Sequence, residues 1–195
     1  MSRGEGKPFH DVMPVAVELV ERLRLSCDRV EIAGSLRRAK PTVRDIEIVA
    51  IPIRPVDMFG TPVKGPSQLD RALDDMGVEF TSRGQKYQSF TYNGHKVDLF
   101  LCDHETWGSI FTIRTGSADF AHQLVSGPPF GICPPSIKFR DGRLWQDGRL
   151  LVTREEEDVF AAVGLRWIGP GMRTGFIPKD VVDHWRVAPV WKCAE

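Results

Sequence analysis

Residues 11–25 place Val12, Val15, Val17, Leu19, Val20 and Leu23 among acids and arginines at helical spacing, which predicts an amphipathic helix. The apolar pattern then shortens. Residues 29–33 and 46–51 read as strands, separated by a Gly34-Ser35 turn and one helical turn over residues 36–40 that Pro41 stops. Residues 55–66, broken by prolines and glycines, form a loop. Ser67 N-caps a helix running to Met76, with Gly77 at its end. Strands follow over residues 78–82, 89–92 and 96–102, and Asn93-Gly94 between the last two is a strong hairpin signal. From residue 113 a second pattern begins. It has a helix over 119–124, a break at Gly127-Pro128-Pro129, and a meander over 137–152 with turns at Asp141-Gly142 and Asp147-Gly148. Thr153 opens the next helix as a Thr-x-x-Glu capping box, and its first-turn acids, Glu155, Glu156 and Glu157, suit a helix N-terminus. The elements predict an α+β fold. A mixed sheet flanked by helices spans residues 1–112, a small α/β unit spans 113–173, and residues 174–195 form a tail with Trp185 and Trp191 tucked onto the body.

Three acids interrupt the apolar strands. Asp45 and Glu47 lie two residues apart at the start of one strand and so point to one face. Asp98 sits among Val97, Leu99 and Leu101, where a charge contributes nothing to packing. If the two strands are neighbours, three carboxylates converge and repel one another unless a cation joins them. Oxygen-only ligands suit magnesium or manganese. The crowding also predicts that neutralising Asp98 leaves stability unchanged or raised. Upstream, the Gly34-Ser35 turn offers backbone N–H groups and a hydroxyl to phosphate oxygens, and Arg38 offers a bidentate fork. Together they suggest nucleotidyl transfer.

Composition narrows the class. With 42% hydrophobic and 27% charged residues, the 195-residue chain is an ordinary globular protein able to bury a core. No apolar run approaches membrane-spanning length, the opening Met-Ser-Arg-Gly-Glu-Gly-Lys lacks the apolar segment expected of a signal peptide, and four widely spaced cysteines without a C-x-x-C fit the reduced thiols expected of a cytoplasmic protein. Cys102 reads as strand packing. The formal net charge is zero, so nucleic-acid affinity has to come from local clusters. Arg37, Arg38, Lys40 and Arg44 form one cluster, and Lys138 with Arg140 a second. Modest, strongly salt-sensitive DNA binding is expected.

Gly34-Ser35 with Arg38, Asp45-x-Glu47, Lys96-Val97-Asp98-Leu99 and Thr115-Gly116-Ser117 occur in one order, followed by Glu156 to Arg173. Over roughly residues 10–173 the chain resembles the family X DNA polymerases, the group of DNA polymerase beta and terminal transferase. The resemblance implies a nucleotidyltransferase palm and a thumb, in a monomer that lacks the lyase domain. It implies that Asp45, Glu47 and Asp98 hold two Mg2+ (or Mn2+) ions. It also implies that Gly34, Ser35 and Arg38 hold the triphosphate, and that Gly116 and Ser117 meet the incoming dNTP across a Gly-Ser bond that is often cis in that family. Lys96, Lys138 and Arg140 would meet a DNA primer-template or gapped DNA. Glu47 replaces the family's more usual aspartate. Ile113 and Arg114 stand where family members carry aromatics, and Ala121 replaces a base-contacting Asn, which implies relaxed choice of sugar and base. Short-gap repair synthesis is the leading reading. The alternatives are a template-independent or ribonucleotide-accepting terminal transferase, and a minimal nucleotidyltransferase that modifies a non-DNA acceptor.

Overall fold

The computed structural model describes residues 6–61 and 63–187. The chain divides after Asp103 into two units, one up to Asp103 and one from His104. The first unit runs β1 (Lys7–Pro8), α1 (Phe9–Leu23), β2 (Cys27–Ile32), α2 (Gly34–Arg37), β3 (Thr42–Val43), β4 (Ile46–Pro52), α3 (Gln68–Asp75), β5 (Glu79–Arg83), β6 (Tyr87–Tyr92) and β7 (His95–Leu101). Its main sheet has the order β2-β4-β7-β6-β5, and β1 pairs separately with β3. Only β4 and β7 are parallel; the other pairings are antiparallel. A mixed sheet of this kind needs a crossover between its parallel strands, and the segment through α3, β5 and β6 supplies it.

The two faces of this sheet differ in chemistry. Ile46, Ile48 and Ala50 of β4 and Val97, Leu99 and Leu101 of β7 join Val12, Leu19 and Leu23 of α1 and Leu69 and Leu73 of α3 in one buried cluster. The alternate positions point the other way and include Glu47 and Asp98. The Ser67 cap and the Asn93-Gly94 turn match the sequence reading. Ser67 caps α3, accepting from the Asp70 N–H at 3.1 Å while Asp70 accepts the Ser67 N–H at 2.8 Å. Asn93 and Gly94 both have positive φ, 47° and 72°, as the two-residue hairpin turn requires.

The second unit comprises α4 (Trp107–Thr115), α5 (Ala118–Val125), β8 (Ile137–Arg140), β9 (Arg143–Gln146), β10 (Arg149–Leu151), α6 (Glu156–Ala162) and α7 (Lys179–Trp185). The predicted meander is a three-stranded antiparallel sheet, with positive φ at Asp141, Gly142, Asp147 and Gly148. Phe120, Leu124, Leu144, Val159, Phe160 and Val182 share its core. The boundary expected at residue 112 falls inside α4, and the chain divides before that helix instead. Residues 174–187 are built into the unit: Gln123 donates to the Ile177 carbonyl at 2.8 Å and accepts the Ile177 N–H at 2.9 Å, and Val182 is buried. Trp185 packs against this core, while Trp191 lies outside the described residues.

One expectation for α6 is corrected. Thr153 does not cap it; its hydroxyl and N–H both donate to the Glu105 carbonyl. The cap is Glu155, whose N–H donates to the Asp158 carboxylate at 2.9 Å. Glu156 lies in the first turn of α6 as expected, and it has a second role. It is buried and ion-paired with Arg173, which is 0% exposed, donates to the Ile168 carbonyl at 2.8 Å, and lies over the Phe160 ring.

Among the described residues no helix is long and apolar enough to cross a membrane. Cys27, Cys102 and Cys133 are free thiols. Burial pushes the first two up to about 12 and Cys133 to about 11, so all three stay protonated. Cys193 lies outside the described residues.

Candidate functional site

The Gly34-Ser35 turn follows β2 after the single residue Ala33, and the helical turn starts at this pair rather than at residue 36. Gly34 has φ +60°, a left-handed value. A Cβ built on it would lie 2.5 Å from Glu47 Cδ and 2.9 Å from Glu47 Cβ, and would overlap the carboxylate itself. Glycine is therefore required twice, by backbone conformation and by the passage of the Glu47 side chain over the turn. The Ala33 N–H donates to the Glu47 carbonyl at 2.8 Å, which fixes the turn against β4. The Ser35 hydroxyl oxygen is buried and has no hydrogen-bond partner. Such an atom costs on the order of 1–3 kcal/mol unless something supplies a partner.

The strand register sets two of the three acids side by side, and the third lies near enough to feel the charge of Asp98. Glu47 stands opposite Asp98 in the parallel register of β4 and β7. Asp45 lies just ahead of β4 and is half-buried. Burial, and then the charge of Asp98, raise its pKa, partly offset by Lys96 and Arg44. Arg38 is half-buried as well, and burial lowers its pKa against the opposing pull of Glu47 and Asp45. The phosphate-binding candidate is thus within the field of the carboxylates.

Asp98 differs from the sequence expectation. It is 8% exposed and fully engaged. Tyr87 donates to Oδ1 at 2.7 Å and Ser89 to Oδ1 at 2.9 Å, while Lys96 Nζ lies 2.6 Å from Oδ2. Burial would raise its pKa, but the bonds from Lys96, Tyr87 and Ser89 outweigh that and hold the carboxyl below its usual range. Tyr87 is pushed up, first by burial and then by Asp98, so its hydroxyl stays a donor. Removing Asp98 takes the acceptor from the buried Ser89 hydroxyl and from Tyr87, a cost that opposes the relief of carboxylate crowding, whereas the exposed Lys96 ammonium can turn to water. Lys96, expected to face primer phosphate, is the counter-ion of Asp98.

The donor chemistry fits a hard divalent cation: three carboxylates, an unpartnered buried hydroxyl and a glycine that leaves room for Glu47. As the side chains stand, no three His, Cys, Asp or Glu among the described residues are gathered tightly enough to hold a metal ion. The Lys96 ammonium supplies the positive charge at Oδ2 instead.

The remaining sequence candidates lie in the second unit. Gly116 has φ −65°, so its conformation does not demand glycine. The reason lies in packing: a Cβ there would strike the Phe120 ring. The only cis peptide bond among the described residues is Pro128–Pro129, so the Gly116–Ser117 bond is trans. Ser117 caps α5, accepting from the Phe120 N–H at 3.2 Å and the Gly175 N–H at 2.9 Å. Lys138 and Arg140 are exposed alternate residues of β8, an edge strand, and Arg140 lies 3.5 Å from Asp141.

Sequence reading missed Tyr87 and Ser89, although the signal was present. A two-residue turn at Asn93-Gly94 pairs Tyr92 with His95, and counting back along the hairpin sets Ser89 opposite Asp98. No protein-family model matches the chain, and no curated protein matches its sequence.

Proposed function

We propose that the protein is a nucleotidyltransferase that adds nucleotides to the 3′-hydroxyl of a DNA primer, in the manner of a short-gap repair polymerase. The observation that carries this reading is the parallel register that sets Glu47 beside Asp98, with Asp45 next to them and the Gly34-Ser35 turn packed on Glu47. In this reading Asp45, Glu47 and Asp98 would hold divalent ions, Mg2+ or Mn2+. Those ions would activate the primer hydroxyl and stabilise the leaving pyrophosphate.

The chain's own residues have distinct tasks. Ser35 and the turn amides meet triphosphate oxygens, and that contact would satisfy the orphan Ser35 hydroxyl. Arg38 grips a phosphate bidentately. Lys96, displaced from Oδ2 by a cation, becomes free to meet the primer backbone. Lys138 and Arg140 add phosphate contacts without sequence preference.

Primer extension on gapped, recessed and single-stranded DNA, with each dNTP and rNTP and with magnesium or manganese, tests the proposal. Incorporation that vanishes in Asp98→Asn is expected. Gap-dependent dNTP addition supports repair synthesis, whereas extension of single strands or comparable rNTP use supports a terminal transferase. Failure to extend any substrate with either metal refutes the polymerase reading and leaves a non-DNA acceptor.

A further inference from the structure

We propose that Tyr87 and Ser89 are positioning residues for Asp98. Two hydroxyls from the neighbouring strand hold Oδ1, so that Oδ2 is the oxygen presented to a cation. The inference rests on the reading of Asp98 as a metal ligand and adds residues from a strand that carries no carboxylate of the site.

The geometry assigns the two oxygens different roles. Tyr87 and Ser89 both donate to Oδ1, at 2.7 and 2.9 Å, and neither bonds Oδ2. Lys96 donates to Oδ2 at 2.6 Å. A carboxylate held on one oxygen by two charge-assisted bonds has its plane fixed. The ammonium on the other oxygen belongs to an exposed side chain and can be exchanged for a metal ion without disturbing that plane. Strand alternation separates these hydroxyls from Gln88, Phe90 and Tyr92. Gln88, between them, points to the other face, where its amide donates to Asp70 Oδ1 at 2.8 Å. The donors are themselves supported: Ser89 is 2% exposed, and the Tyr87 ring packs on Phe100 with centroids 5.3 Å apart. The Tyr-x-Ser pattern on β6 is thus the outer layer of the Lys-x-Asp pattern on β7.

Outer partners that orient a ligating group are commonly worth 10–100-fold in metal affinity or activity. The test is calorimetric titration of Mn2+ into the purified chain, without DNA or nucleotide. The set comprises wild type, Tyr87→Phe, Ser89→Ala, the double variant, Ser89→Thr and Asp98→Asn, with circular dichroism as the check of fold. The double variant is expected to bind Mn2+ about 10–100-fold more weakly, and Ser89→Thr, which keeps the hydroxyl, close to wild type. Primer extension should show kcat falling with nucleotide KM unchanged. Should the double variant fail to fold, Tyr87→Phe alone carries the test with a several-fold loss. Wild-type Mn2+ affinity in these variants, alongside loss in Asp98→Asn, overturns this inference and spares the metal reading. A wild type that binds no Mn2+ overturns both.

Discussion

Substituting Gly34 by alanine should couple backbone strain to the position of one acid, and the two parts can be measured separately. The left-handed conformation at φ +60° costs a non-glycine residue about 1–2 kcal/mol. The new Cβ would also overlap the Glu47 carboxylate and lie 2.5 Å from its Cδ. Overpacking of that order costs about 1–3 kcal/mol, so Gly34→Ala should lose roughly 2–5 kcal/mol in all. Shortening Glu47 to alanine removes the overlapping atoms and leaves the backbone cost, with Cβ still close at 2.9 Å. The penalty for Gly34→Ala in the Glu47→Ala background should therefore be smaller by about 1–3 kcal/mol. Urea unfolding by far-UV circular dichroism gives the four free energies, and amide exchange along β4 confirms that they report on the first unit. All five tryptophans lie outside that unit, so their fluorescence would miss it. Equal penalties in the two backgrounds, within about 0.5 kcal/mol, would refute the steric account and leave Gly34 a purely conformational requirement.

Two further outcomes concern stability. Burial would raise the Asp70 pKa, but bonds from Ser67 and Gln88 win and hold it below its usual range. A depressed carboxylate stabilises the fold above its unfolded pKa of about 3.9 and loses that effect as pH falls through the folded value. The stability difference between wild type and Asp70→Asn, measured by urea unfolding from pH 7 to 2.5, should thus be largest at neutral pH and shrink below about pH 4. Arg173→Met should cost about 3–5 kcal/mol because it leaves Glu156 charged and buried. Glu156→Leu with Arg173→Met should recover most of that loss, and a double variant as unstable as the summed singles would show that the pair itself carries large net stability.

Much of the first unit was legible because its signals are local. Ser67 with Asp70 and Asn93-Gly94 specify their cap and their turn within four residues, and the structure follows both. The acids were legible for a different reason: a charge inside an apolar strand has no packing explanation. Their partners were not read, because a hydroxyl in a strand looks like ordinary solvent-facing polarity until register is worked out. The second unit hid its main determinant. Glu156 looks like a helix-start acid, and its burial is compensated by Arg173, seventeen residues on. Thr153 offered a plausible cap, yet the Glu105 carbonyl, remote in sequence, took its hydroxyl. Local chemistry proposes such contacts, and long-range partners decide among them.

The parallel pairing of β4 with β7 has a kinetic consequence. The strands of the β5–β6–β7 meander are joined by tight connections and can form early, since short closures are fast. The β4–β7 register brings Glu47 to Asp98 across some fifty residues of chain, and non-local pairings of that kind are slow to form. The carboxylates therefore meet only when the sheet closes on its central strand. Until then the nascent chain carries Asp98 on a hairpin and Glu47 on a separate strand, and a cation finds no composite site. Under the proposed metal reading, competence to bind a cation would arrive in a single step with completion of the sheet, and metal affinity would serve as a clock for the folding of this unit.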